Sequence, residues 1–103
     1  MMPRFDIGRL DDVIHGRLRL GAMAYLADAE VAEFNVLKSV LDVTAGNLSS
    51  QLRKLEEAGY VTIEKDFLGR KPRTRIRLTT AGRDAFGRYL EVLGQIVGAP
   101  RET

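Results

Sequence analysis

The chain has 103 residues, enough for one domain with one core, and its 45% hydrophobic and 29% charged residues are the balance of a globular protein, not a disordered one. It contains no cysteine, which excludes disulfides, thiolate metal sites and cysteine nucleophiles and fits a reducing compartment. Net charge is only +2, but residues 47–83 carry nine bases against four acids while the remainder carries seven against ten. A cationic segment of this kind suits either a polyanionic partner or a solvated basic loop.

Residues 1–8 are expected to form a flexible leader. MMPRFDIGRLDD is acidic and broken by Pro3 and Gly8, unlike a signal peptide. No apolar run approaches the length of a membrane span, so the expected setting is cytoplasmic, without a membrane partner. From Arg9 to Ala27, Leu10, Val13, Ile14, Leu18, Ala22 and Leu26 mark one helical face. Gly16 and Gly21 weaken that helix by about 1 kcal/mol each against alanine, so a break near Gly16 or close helix packing is expected. DAEVAEF connects, with room for a short extra strand near Phe34. Asn35 is a candidate cap for a helix over Val36 to Leu41, and Thr44 for the helix after the turn DVTAGN.

That third helix, residues 45–58, has Ala45, Leu48, Leu52 and Leu55 on one face. Ser50 points away from it, and Gly46, Asn47, Arg53 and Lys54 flank it. Gly59 terminates the helix. YVTIEKDF then alternates, with Val61 and Ile63 inward and Thr62 and Glu64 outward; RIRLT alternates again, with Ile76 and Leu78 inward and Arg75 and Arg77 outward. The two runs predict an antiparallel hairpin with LGRKPRT as a long tip. Thr80 is the expected cap of a last helix over 81–97, and 98–103 form a tail. The predicted fold is mainly α with a small β-hairpin, in the order α-α-α-β-β-α: a helix-turn-helix followed by a wing.

The third helix has an unusual charge order. Acids normally favour the positive N-terminus of a helix, yet its first turns have none and Glu56 and Glu57 sit at the far end. An acid-free N-terminus remains attractive to phosphate, and the N-terminal residues of a helix in a major groove reach base edges first. Asn47 and Gln51 suit adenine, Arg53 and Lys54 suit guanine or phosphate, and Ser49 and Ser50 permit close approach. Alone, these residues fit any wet helix face. The hairpin shifts the balance, because Arg70, Lys71, Arg73, Arg75 and Arg77 fall within eight residues with no acid among them.

FNVLKSVLDVTAGNLSSQLRKLEEAGYVTIEKDFLGRKPRTRIRLTTAGRDAF resembles the winged-helix DNA-binding domains of bacterial and archaeal transcriptional regulators. It is similar to MarR-type and ArsR-type repressors, above all to the small stand-alone branch that is little more than the wing domain and a dimerising helix. The resemblance spans about residues 9–97. It rests on NLSSQLRKLEEAGYV and on GRKPRTRIRLTTAGR after the intervening strand. It implies that Asn47, Ser49, Ser50, Gln51 and Lys54 face the groove, that Arg53 reaches the backbone, and that Arg70, Lys71, Arg73 and Arg75 are wing contacts. Thr44 and Lys65 complete the candidate DNA-binding set. ArsR-type metal sensing is in doubt because it often uses cysteines; no metal or other cofactor is expected.

Phe86, Tyr89, Leu90, Leu93, Ile96 and Val97 form a near-continuous apolar stripe on the last helix. It could cover its own core or a twofold mate. The resemblance favours a homodimer in which helix 1, through Leu10 and Ile14, shares the interface with the last helix. His15, beside Asp11 and Asp12, lacks the ligand count of a metal site. Ser49 and Ser50 have no adjacent base to activate them, so no enzyme is expected. The expected function is sequence-specific binding of double-stranded DNA in transcription regulation, with helix 45–58 in the major groove and the basic wing 65–77 on the backbone or in the minor groove. A protein-interaction or RNA-binding winged helix is the alternative. No polar cluster points to a small-molecule effector.

Overall fold

The computed structural model describes residues 6–98; the remaining residues of the expected leader and tail, 1–5 and 99–103, lie outside the described residues. A 3-10 turn, Ile7–Arg9, occupies what the sequence presents as leader. The first helix, α1, runs Arg17–Ala29 and does not begin at Arg9. The cause is local. The Asp11 carboxylate accepts from the Val13 amide at 2.8 Å, a side-chain turn that competes with helix, and Gly16 is extended immediately before α1. The anticipated break at Gly16 is therefore the helix start. Ile14, Ala22 and Leu26 still reach the core, as the apolar spacing requires.

A short strand β1, Val31–Glu33, follows, and it is the extra strand expected beside Phe34. Helix α2, Phe34–Leu41, starts before the anticipated Asn35 cap; Glu33 takes the N-cap position without a side-chain bond. Asp42, with φ 55°, turns the chain into α3, Ala45–Glu57. Gly59, with φ +82°, ends that helix as expected. Strands β2, Val61–Leu68, and β3, Lys71–Leu78, pair antiparallel, and β1 pairs with the other edge of β3. The sheet order β1-β3-β2 makes the arginine-bearing strand the central one.

The long tip expected at LGRKPRT is instead strand up to a two-residue turn, Gly69–Arg70. Gly69 has φ +66° at the first turn position, where a two-residue hairpin turn commonly needs a glycine. Pro72 lies in β3 beyond the reach of β1, where its missing N–H leaves no ladder bond broken on that side.

Helix α4 spans Thr80–Gly98. Its cap is Thr79, not Thr80: the Thr79 hydroxyl accepts from the Gly82 amide at 2.9 Å and donates to the Gly59 carbonyl at 2.6 Å. A Cβ on Gly82 would stand 2.1 Å from the Tyr60 carbonyl oxygen. Only glycine lets α4 approach the start of β2 this closely. The α3 end, the root of the hairpin and the head of α4 thus meet at one junction.

The core comprises Ile14, Met23 and Leu26, Leu37, the α3 row Leu48, Leu52 and Leu55, Val61 and Ile76 of the sheet, and Ala85, Phe86 and Tyr89 of α4. Ala45, expected on the buried face of α3, is exposed at its first turn. The stripe of α4 is only partly covered by its own chain. Phe86 and Tyr89 are buried by their own chain, as is Ile14, so these three expected dimer residues already have a cover. Leu90 and Val97 are 48% and 68% exposed, near half-buried Leu93 and Ile96 on the same helix; Leu10 is also half-buried.

Candidate nucleic-acid interface

Helix α3 is capped as the sequence indicates, with the Thr44 hydroxyl accepting from the Asn47 amide at 3.2 Å. No acid lies in its first turn. Burial of Leu48, Leu52 and Leu55 turns Asn47, Ser49, Ser50, Arg53 and Lys54 to solvent, and all five are exposed. Gln51 differs. It is half-buried, its amide oxygen accepts from Arg19 at 2.5 Å, and its amide nitrogen donates to the Asn47 side chain at 3.3 Å. Arg19 also donates to the Val13 carbonyl at 2.6 Å. This arginine, absent from the sequence reading, ties the turn before α1 to the middle of α3 and holds Gln51 and Asn47 in one orientation. Its sequence signal is weak, since both arginines of the run RLRL resemble ordinary surface bases.

The hairpin differs more from expectation. Its two-residue turn puts Asp66 opposite Arg73 and Glu64 opposite Arg75. Arg73 makes two bonds to the Asp66 carboxylate at 3.0 Å each, Arg75 reaches the same carboxylate at 3.0 Å, and Arg77 bonds Glu64 at 2.9 Å. The three arginines on the outward face are therefore closed into a ladder with two acids. The Arg73 hydrogen bond, then the Arg73 and Arg75 charges, hold Asp66 below the usual carboxylate range against an opposing effect of desolvation. The hydrogen bond from Arg77 does the same for Glu64. Arg75 Nε is buried without a hydrogen-bond partner, so its guanidinium is held only at the far end.

Alternation assigns the other face. Lys65 and Phe67 of β2, with Thr74 and Pro72 opposite them on β3, share the side of Val61, Ile63 and Ile76. That side faces α3. A cleft of about 380 Å³ separates the two elements, with Ser49, Arg53 and Glu56 on the helix wall and Ile63, Lys65 and Thr74 on the hairpin wall. Among the described residues, Lys65, Arg70 and Lys71 make no ion pair, and all three are exposed. The cationic side chains beside α3 are thus Arg53 and Lys65 at the cleft; Arg70 and Lys71 stand unpaired at the tip, where Lys71 continues the arginine row on the reverse of the wing.

A family model described as winged helix DNA-binding domain matches residues 18–97. The chain belongs to that family. This winged helix is 37% identical over 84 residues to an uncharacterized protein of Methanocaldococcus jannaschii, covering 82% of this chain and 91% of that one. It also matches the structure of a transcriptional regulator homologue from Pyrococcus horikoshii, with TM-score 0.79 and 35% identity over 82% of this chain and 84% of that chain. A MarR-like transcriptional regulator of Thermotoga maritima has the same fold, with TM-score 0.60 at 24% identity, covering 88% of this chain and 60% of that chain. The winged-helix, MarR-like architecture expected from the sequence is the architecture found.

Elsewhere on the winged helix, His15 and Asp11, set aside as a metal site in the sequence, have structural partners. His15 Nδ1 lies 2.8 Å from the Tyr89 hydroxyl. The Tyr60 hydroxyl donates to Asp11 at 2.5 Å, and that bond, together with burial, raises its pKa above the ordinary phenol value of 10.0. Burial raises that of Tyr89. Among the described residues no three His, Asp or Glu side chains gather as a metal site, and no helix is long and apolar enough to cross a membrane.

Proposed function

We propose that the chain is a homodimeric, sequence-specific regulator of transcription that binds double-stranded DNA and carries out no catalysis. Helix α3 enters the major groove. Asn47, Ser49 and Ser50 face base edges; Arg53 and Lys54 reach guanine or phosphate, and the Thr44-capped first turn lies against the backbone. Gln51, braced by Arg19, acts mainly by orienting Asn47. Lys65, Arg70 and Lys71 contact the backbone flanking that groove. Arg73 and Arg75 hold the wing in shape through Asp66 on the reverse side.

The observation that carries this reading is the cleft between α3, whose first turn is free of acids, and the Lys65 side of the hairpin, two surfaces presented side by side. The exposed Leu90 and Val97, with Leu93 and Ile96 near them on the same helix, supply the apolar surface for a twofold mate, whereas Leu10 lies beside Arg88, Glu91 and Val92. A symmetric pair of recognition helices about 34–36 Å apart would read a pseudo-palindromic site. Selection of duplexes from a random pool, followed by sizing of the complex, tests both parts. Two chains on an inverted repeat is the expected result. Equal affinity for one half-site and the full site refutes the dimer, and failure to retain any duplex refutes DNA binding.

A further inference from the structure

Two of the most exposed large apolar side chains in the described structure sit at the end of the wing, Phe67 at 67% and Leu68 at 61%. We propose that this tip is an apolar wedge for the minor groove of duplex DNA, with Phe67 its working edge. The inference rests on the DNA-binding reading and adds to it a way of sensing how readily a sequence deforms.

Three observations support it. The first is direction. Phe67 is two residues beyond Lys65 on the same strand face, about 7 Å farther from the core at the usual rise of an extended chain. It therefore extends the wall of the cleft that α3 borders, whereas the paired arginines lie on the opposite face. The second is shape. Phe67 stands opposite Pro72, and Leu68 stands opposite Lys71, so each side of the hairpin's end carries an exposed apolar side chain beside a tight turn, with Lys71 flanking Leu68 on the reverse. A two-sided apolar end suits insertion between two walls better than docking flat on a surface. The third is charge. Lys65, Arg70 and Lys71 surround these side chains and make no ion pair among the described residues. That ring of cations attracts phosphates on both sides of a narrow groove and repels the same tip of a second copy.

The minor groove is about 6 Å wide and distinguishes base pairs poorly by hydrogen bonding. Apolar side chains pressed into it partly unstack a base step and bend the duplex, at a cost that depends on how flexible the step is. Phe67 would thereby add discrimination at flanking steps that α3 does not touch, favouring pyrimidine–purine steps over stiff ones.

The test uses the full chain and a duplex that it selects from a random pool, with 2-aminopurine placed in the flanks. Because Phe67 is largely exposed, its replacement leaves the core intact. Phe67→Ala should lower affinity for this duplex about tenfold and abolish the fluorescence rise that reports unstacking, with the salt dependence unchanged. Phe67→Lys should also weaken binding despite its added charge, whereas Phe67→Leu should retain most of it. Wild-type affinity and fluorescence in Phe67→Ala, or tighter binding by Phe67→Lys, would overturn the wedge alone. Failure of the wild-type chain to retain any duplex would overturn the DNA-binding reading with it. Binding to phosphatidylserine vesicles that Phe67→Ala abolishes while duplex affinity stays at the wild-type value would assign the tip to a membrane surface. Self-association lost in that variant, with duplex affinity per dimer unchanged, would assign it to a second copy.

Discussion

Helix α3 and the β2–β3 hairpin border the same cleft, but they hold their polar side chains in opposite ways. On α3, Asn47, Ser49, Ser50, Arg53 and Lys54 stand in solvent, and the nearest acids are at the helix end. On the hairpin, Arg73, Arg75 and Arg77 are folded onto Asp66 and Glu64 and face away from α3. The helix bears fewer bases and leaves them available. The hairpin bears more and uses half of them to stiffen itself. A count of cationic residues along a strand therefore measures free charge poorly until the residues opposite are known.

The largest effect should come from breaking both regions at their common root. Gly82→Ala places a methyl group against the Tyr60 carbonyl, a backbone atom that cannot yield without moving the start of β2. A loss of about 3 kcal/mol is expected in urea unfolding, at the upper end for overpacking. An unchanged midpoint would show that the junction is looser than its geometry.

Next in size, Asp66→Asn removes the acid that two arginines share. Freed guanidiniums should steepen log affinity against log salt by up to about 0.9 each on duplex DNA. If the slope does not move, the reverse face of the wing does not reach phosphate even when released. The same carboxylates make the wing sensitive to acid. Asp66 and Glu64 have lowered pKa values in the folded chain, so their stabilising contribution is present above the ordinary carboxylate range and is lost as pH falls through the lowered values. Asp66→Asn should accordingly lose less stability than wild type on acidification; parallel acid limbs would argue that the ladder adds nothing to stability.

A smaller and more selective change separates the unpaired bases of the wing from the paired ones. Lys71→Ala should flatten the salt slope by about 0.9, while Arg77→Ala should leave it alone. Equal slopes in the two variants would erase the distinction between free and paired bases. The smallest effect touches neither surface. Asp11→Asn weakens the main cause of the raised Tyr60 pKa, so ultraviolet titration should move that phenol toward 10.0. Because the folded value is raised, the associated stability is present below the ordinary phenol value and lost as pH rises through the raised one.

Periodicity made the helices and the core largely legible. Leu48, Leu52 and Leu55 are spaced for one face, and Thr44 and Gly59 mark the ends of α3 without ambiguity. Ends set by side-chain competition were harder to read. Asp11 diverts the chain before α1, and Thr79 takes the capping role because its hydroxyl also reaches Gly59. The wing is legible as a hairpin but not as a ladder, because the turn-forming residues of LGRKPRT extend over more positions than the turn itself occupies. Placing it at Gly69–Arg70 would have brought Asp66 opposite Arg73 from the sequence alone. Arg19 and its bond to Gln51 join residues far apart in the chain, and no local pattern announces such a contact.

The tight turn also gives the wing a parity. Since Leu68 and Lys71 pair directly across it, the hairpin closes with no residue left over. One further residue on each strand would keep Asp66 with Arg73 but present the new end to the opposite side; two on each would restore the present aspect. Related wings of different lengths should therefore fall into two classes, distinguished by which side of the sheet their outermost side chains address.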